Sequence, residues 1–189
     1  MKEEILLSIT EFPKQKVYID EGLFERIHHG DQDAFRELYE LSYKPLYAFL
    51  LSLTQNSEDA KDLLQDTFLQ IQVSCHLYKK PGNPMAWMMK ISKNLFLMKY
   101  RRESTNTRMN YDDMENELGF ENITNVENRV LLEKMFQILS LEEQRIIVMH
   151  DVSGLKYREI ADVTGHPLGT VLAKYNRGIR KLQKEFSKR

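Results

Sequence analysis

With a single cysteine, Cys75, the chain has no means of forming an internal disulfide, and a thiolate zinc site lacks its ligands. The five histidines, His28, His29, His76, His150 and His166, fit no metal-ligand spacing, so no metal or other cofactor is expected. Glycine and proline are scarce as well, eight and five of 189 residues, which disfavours an all-β or low-complexity chain and favours helix. No apolar run approaches the roughly 18 residues that cross a membrane, and Glu3, Glu4 and Glu11 stand where a signal peptide is basic and then apolar. The sequence therefore reads as cytoplasmic, without membrane insertion. A phosphate-cradling glycine loop and a recognisable pairing of nucleophile and base are also missing, which argues against an enzyme.

Net charge is nearly absent too, at −1, yet it is unevenly spread. Residues 1–102 carry 14 bases and 14 acids, residues 103–125 carry one base and six acids, and residues 126–189 carry 12 and eight. From Pro167 to the C-terminus seven Lys or Arg face the single acid Glu185. A local excess of this kind points to a local anionic partner.

What is abundant is helical periodicity. Residues 1–22 lack it and contain Pro13 and Gly22, so they read as a poorly ordered or loosely docked extension. Leu23, Phe24 and Ile27, then Phe35, Leu38, Tyr39, Ser42, Leu46, Phe49, Leu50 and Leu53, recur at three- and four-residue steps, with an interruption expected near Pro45. Asn56 or Ser57 caps a next helix whose buried stripe is Ala60, Leu63, Leu64, Thr67, Phe68 and Ile71, leaving Asp62, Gln65, Asp66 and Leu69 on the other face. A turn-rich loop, HLYKKPGNP, precedes a further helix that starts at Pro84, with Trp87, Ile91, Leu95 and Met98 on its expected core side. Residues 103–125 read as an acidic linker, and a helix restarts through Val126, Val130, Leu131, Met135 and Leu139. The expected fold is all-α: two small helical domains, 23–102 and 126–189, joined by a flexible linker.

The C-terminal stretch has the proportions of a helix-turn-helix. KYREIADVTG is a short amphipathic helix, HPLG a tight turn after Gly165, and TVLAKYNRGIRKL a longer basic helix. At about 100° per residue, Val171, Tyr175, Gly178, Ile179, Leu182 and Phe186 share one face, with Ala173, Arg177, Arg180 and Lys184 opposite and Lys174, Asn176 and Lys181 beside them. A basic helix face attracts phosphate, and Arg, Lys and Asn reach base edges in a major groove.

LSLEEQRIIVMHDVSGLKYREIADVTGHPLGTVLAKYNRGIRKL resembles domain 4 of bacterial sigma factors of the extracytoplasmic-function group. DAFRELYELSYKPLYAFL, EDAKDLLQDTFLQI and MAWMMKISKNLFLMKYRR resemble successive segments of domain 2, in the family's order. The resemblance implies a promoter-specificity subunit whose partners are core RNA polymerase, promoter DNA as duplex and as melted strand, and an anti-sigma factor. It places polymerase docking on Asp62, Gln65, Asp66 and Leu69. Downstream-element binding and melting fall on Tyr78, Lys79, Lys80, Asn83, Lys90, Lys93, Asn94, Lys99, Arg101 and Arg102, with Tyr78 a candidate to stack on an unpaired base. Upstream-element binding falls on Thr170, Leu172, Ala173, Lys174, Asn176, Arg177, Arg180 and Lys181. The chain departs from the family pattern at Met98, usually Asp, near Gln72, often aromatic, at Leu172 and Ala173, usually polar or basic, and in its long N-terminal extension.

Two other readings stand beside this one: a stand-alone helix-turn-helix regulator, and a sigma-like protein reduced to protein interaction. Binding to purified core polymerase with specific initiation separates all three.

Overall fold

The computed structural model describes residues 18–106, 135 and 137–186. Their regular elements are all helical and fall into two compact units. The readings placed on residues 1–17, on most of the acidic linker and on Val126, Val130 and Leu131 lie outside the described residues.

The first unit holds α1 (Gly22–His28), α2 (Gln32–Thr54), α3 (Ser57–Ser74), a 3-10 turn (Cys75–Leu77) and α4 (Pro84–Asn106). Short side chains fix the boundaries. Asp31 accepts from the backbone N–H of Asp33 and of Ala34, both at 3.0 Å, satisfying two of the amides a helix start leaves open. The Ala34 amide, with Arg26 beside it, holds the Asp31 carboxyl below its ordinary range. Asn56 does the same for α3 through Glu58 and Asp59, while Gln55 ends α2 in the left-handed conformation. With only Gln55 and Asn56 between them, α2 and α3 pack as neighbours.

Contrary to the interruption expected near Pro45, α2 runs unbroken from Gln32 to Thr54. Every residue from Pro45 to Thr54 is buried, enclosed by α1, α3 and α4. Burial of that many apolar side chains outweighs the cost of about 3 kcal/mol that proline imposes inside a helix. The buried hydroxyls of Ser42, Ser52 and Thr54 donate to carbonyls of their own helix, so the enclosure strands none of them.

The face of α4 also differs from expectation. Met85, Met88, Met89, Ser92 and Phe96 are buried, whereas Trp87, Ile91 and Leu95 are only half-buried and Met98 is exposed. Apolar residues nearly encircle this helix, so its pattern selects no single stripe; packing against both α2 and α3 does. Where α3 and α4 meet, Thr67 and Ser92 hydroxyls lie 3.3 Å apart. Helix α4 extends through Asn106, four residues into the expected linker. At the other end Ile19 is buried, so the unit begins ahead of Leu23.

The second unit holds α5 (Leu141–Ile147), a π-helical turn (Val148–Val152), α6 (Tyr157–Thr164) and α7 (Leu168–Phe186). Ser140 and Glu143 form a capping box: the Glu143 amide donates to the Ser140 hydroxyl at 3.4 Å, and the Ser140 amide donates to the Glu143 carboxylate at 2.9 Å. Gly165, at φ 79°, closes α6 in the left-handed region, and the Pro167 carbonyl opens α7 by accepting from Thr170 and Val171. Ile146, Ile147, Val148, Met149, Leu155, Ile160, Val163, Val171 and Leu182 make the core, joined by Met135 and Leu139. Gly178 lets α7 approach α5 closely, since a Cβ there would sit 2.8 Å from Ile147 Cδ1.

Candidate functional site

Three surfaces carry the candidate residues. On α3, Asp62, Gln65, Asp66 and Leu69 are all exposed. Their face continues through Gln72 and Val73 to Leu77 on the 3-10 turn, with Leu69, Val73 and Leu77 each 61–70% exposed. The sequence reading stopped at Leu69. Four-residue steps from Leu69 to Val73 and Leu77 were the available signal, and a stripe of exposed aliphatic residues rimmed by acids marks a protein contact rather than a nucleic-acid one.

The loop from Tyr78 to Asn83 is braced by α1. The Tyr78 ring stacks on Phe24 with centroids 4.4 Å apart and meets Trp87 edge-on at 5.6 Å. Phe24 and Trp87 are themselves 5.2 Å apart. The Glu21 carboxylate accepts the Gly82 amide at 3.3 Å, and Glu25 lies 3.6 Å from the Lys80 ammonium. Gly82 has no room for a side chain, because a Cβ would stand 2.8 Å from the Tyr78 hydroxyl and 2.9 Å from the Lys79 carbonyl. Burial, reinforced by Glu21, pushes the Tyr78 hydroxyl up to about 12. The expectation of Tyr78 as an open stacking platform therefore meets a half-buried ring with one face already covered by Phe24. Asn83 accepts the Ala86 amide at 3.3 Å, so its side chain caps α4.

On this loop and along α4, Lys79, Lys80, Lys90, Asn94, Arg101 and Arg102 are exposed and Lys93 is half-exposed. Lys99 is different: its ammonium donates to Asp59 at 2.6 Å, tying α4 to α3 between two half-buried side chains. Glu21, Phe24 and Glu25 were not identified from sequence. Their partners lie over fifty residues away, where local pattern gives no signal.

On α7, Ala173, Asn176, Arg177 and Arg180 are exposed, and Thr170 and Leu172 half-exposed, opposite buried Val171, Gly178 and Leu182. Lys174 and Lys181, expected beside this face, are instead engaged by consecutive acids of α5. Lys174 donates to Glu142. Lys181 donates to Glu143 at 2.7 Å. Burial raises the Glu143 carboxyl, but Lys181 and Ser140 outweigh it and hold the group below its ordinary value. Glu142 also lies 3.4 Å from His166 in the turn. The remaining basic line, Arg177, Arg180 and Lys184, is exposed at i, i+3 and i+7. Tyr175 anchors the helix by donating to Asp151 at 3.2 Å beside stacked His150 and Tyr157, and burial raises its hydroxyl far above the ordinary value.

Among the described residues no helix is long and apolar enough to cross a membrane, and no cluster of His, Cys, Asp and Glu is arranged to hold a metal.

Residues 38–105 match the family model for Sigma-70 region 2, and residues 129–182 match that for Sigma-70, region 4. The chain is 26% identical over 168 residues to RNA polymerase sigma factor YlaC of Bacillus subtilis, covering 83% of this chain and 94% of that one. It is 29% identical over 165 residues to the ECF RNA polymerase sigma-E factor of Escherichia coli K12, covering 80% and 86%. The sigma factor RpoE of Bartonella quintana, solved in complex with the anti-sigma factor NepR, superposes with a TM-score of 0.62 at 22% identity, over 82% of this chain and 96% of that one.

Proposed function

The chain belongs to the extracytoplasmic-function group of the sigma-70 family, RNA polymerase sigma factors that bind core polymerase and direct promoter-specific initiation, and on that premise we propose how its residues divide the work. Residues 19–106 act as the domain that docks on polymerase and opens the downstream element. Residues 126–189 read the upstream element, with 107–125 as the tether and 1–18 as an extension. The protein works in the cytoplasm without catalytic chemistry of its own, and an anti-sigma factor, such as the one bound to the Bartonella protein, belongs to the same proposal.

The observation that carries this division is the pairing of two unlike surfaces on one chain. Asp62, Gln65, Asp66, Leu69 and Val73 offer an acidic and aliphatic stripe suited to a basic protein helix, while Arg177 and Arg180 offer a basic face suited to phosphate and base edges. Run-off transcription with purified core polymerase on a genomic fragment library tests it: specific start sites support the reading. DNA binding without any gain of initiation from core would favour a stand-alone regulator instead.

Because Asp62 and Asp66 are exposed, reversing both to Lys leaves the fold of α3 intact. The double variant is expected to bind core polymerase about 10- to 30-fold more weakly, since like charges then face each other across the contact. Wild-type affinity in the folded variant, measured by titration of labelled protein into core, would remove α3 from the docking surface.

Arg177 sits in the half of α7 that approaches bases, and Arg180 one turn further along. Arg177→Ala is expected to cost about 1 to 3 kcal/mol on the cognate upstream element and less on a scrambled one. Arg180→Ala should weaken both DNAs alike and lower the salt slope by about one. Affinity against salt on the two DNAs decides; equal behaviour of both variants and wild type would leave this face merely solvated.

A further inference from the structure

The consecutive acids Glu142 and Glu143 engage two lysines of the same helix, yet in different surroundings. Glu143 is 2% exposed and also caps α5, so this carboxylate is built into the core although its partner Lys181 is 41% exposed. The Glu142 side chain is 46% exposed and contributes nothing to the α5 cap hydrogen bonds. It reaches across to Lys174 on α7 and to His166 in the turn, gathering two of the helix-turn-helix motif's nitrogen-bearing side chains around one carboxylate.

We propose that Glu142 is a specificity-setting residue that keeps Lys174 out of the DNA contact. This rests on the reading of α7 as the upstream-element helix. Lys174 lies one turn before Arg177, in the half of the helix that meets base edges. A free lysine there would add a phosphate contact on any sequence and a donor to guanine O6 and N7. Its side chain is 22% exposed, so the pair with Glu142 is screened by salt less than an open phosphate contact would be. Glu142 lies in the first turn of α5, where the helix dipole favours a negative charge. His166 Nε2 lies 3.4 Å from its second oxygen. Position 174 is thereby silent, and base reading is left to exposed Ala173, Asn176 and Arg177.

The test is a cycle of Glu142→Gln, Lys174→Gln and the double variant in the full-length chain, with affinity followed against salt on a cognate and a scrambled upstream element. Glu142→Gln is expected to raise affinity for scrambled DNA about 3- to 10-fold and to steepen the salt slope by about one, since Lys174 then reaches phosphate. Lys174→Gln alone should leave both quantities unchanged, and in the double variant the gain should vanish. Loss of about one unit of slope in Lys174→Gln would show that the lysine already meets DNA and would overturn the proposal, even if Glu142→Gln failed to fold. An unchanged slope in folded Glu142→Gln overturns it equally. Arg177→Ala in the same assay separates the two levels: if it matches wild type in affinity and in cognate preference, the reading of α7 itself fails. Lost preference there with an inert Glu142→Gln sinks only the role of Glu142.

Discussion

Phe24→Ala is expected to destabilise the first helical unit by about 4 kcal/mol, the cost typical of emptying a large aromatic site. Phe24 is 2% exposed and touches both Tyr78 and Trp87, with ring contacts worth about 0.5 to 1.5 kcal/mol each beyond area burial. Trp87 is the chain's one tryptophan, so denaturant unfolding followed by its fluorescence reports on this unit directly. A shift below about 1 kcal/mol would mean that the site collapses around the missing ring. Phe24→Leu keeps an apolar filling but removes the stacked ring, and separates stability from placement of the loop. With the fold retained, permanganate footprinting on a cognate promoter is expected to show slower strand opening, because Lys79 and Lys80 are no longer carried on a braced loop. Opening at the wild-type rate would confine Phe24 to packing.

Glu143→Ala is expected to cost the second unit about 3 kcal/mol. It removes one half of the capping box, commonly worth about 1 kcal/mol, together with charge-assisted hydrogen bonds of about 1.5 to 3 kcal/mol. The surviving Lys181 is 41% exposed and stays solvated, which keeps the loss below that of a fully enclosed pair. The same residue gives an acid dependence of definite sign. Its folded pKa is depressed, so its contribution is complete above the ordinary carboxylate value of 4.5 and is lost as pH falls below it, through the lower folded value. Hydrogen exchange of α5 and α7 amides in the full chain, at neutral pH and again below pH 4.5, checks both statements. A Glu143→Ala variant as protected as wild type at neutral pH would show that α7 is held to α5 by apolar packing alone.

The helical class, the stop at Gly165, the α3 cap to within Asn56 or Ser57 and the two-faced pattern of α7 were legible because each is written within one turn of chain. The exposed line of Arg177 and Arg180 against buried Val171 and Leu182 follows from 3.6-residue geometry and little else. Pro45 misled because its local penalty is certain while the enclosure that overrides it is tertiary. The face of α4 was illegible for the opposite reason: with methionines at 85, 88 and 89 and apolar residues on every side, several stripes satisfy the same pattern. Lys174, Lys181 and Lys99 illustrate the largest gap. Their acids lie 32, 38 and 40 residues away, so composition counted as open positive charge what folding engages in pairs.

The bracing of the Tyr78–Asn83 loop by α1 also sets an order in time. Helix α1 has seven residues, too few to persist in water unaided, and Glu21 meets Gly82 only after 61 further residues exist. At synthesis rates of roughly 5–20 residues per second, its dock emerges on the order of several seconds after it does. Helices α2 and α3, joined by a two-residue turn, have their partners sooner. The docked pair therefore closes late, after α2 has already covered another side of α1 and its buried Leu23 and Ile27. The loop's position is then governed by a helix remote from it in sequence, and any ligand or partner that shifts α1 shifts the loop with it.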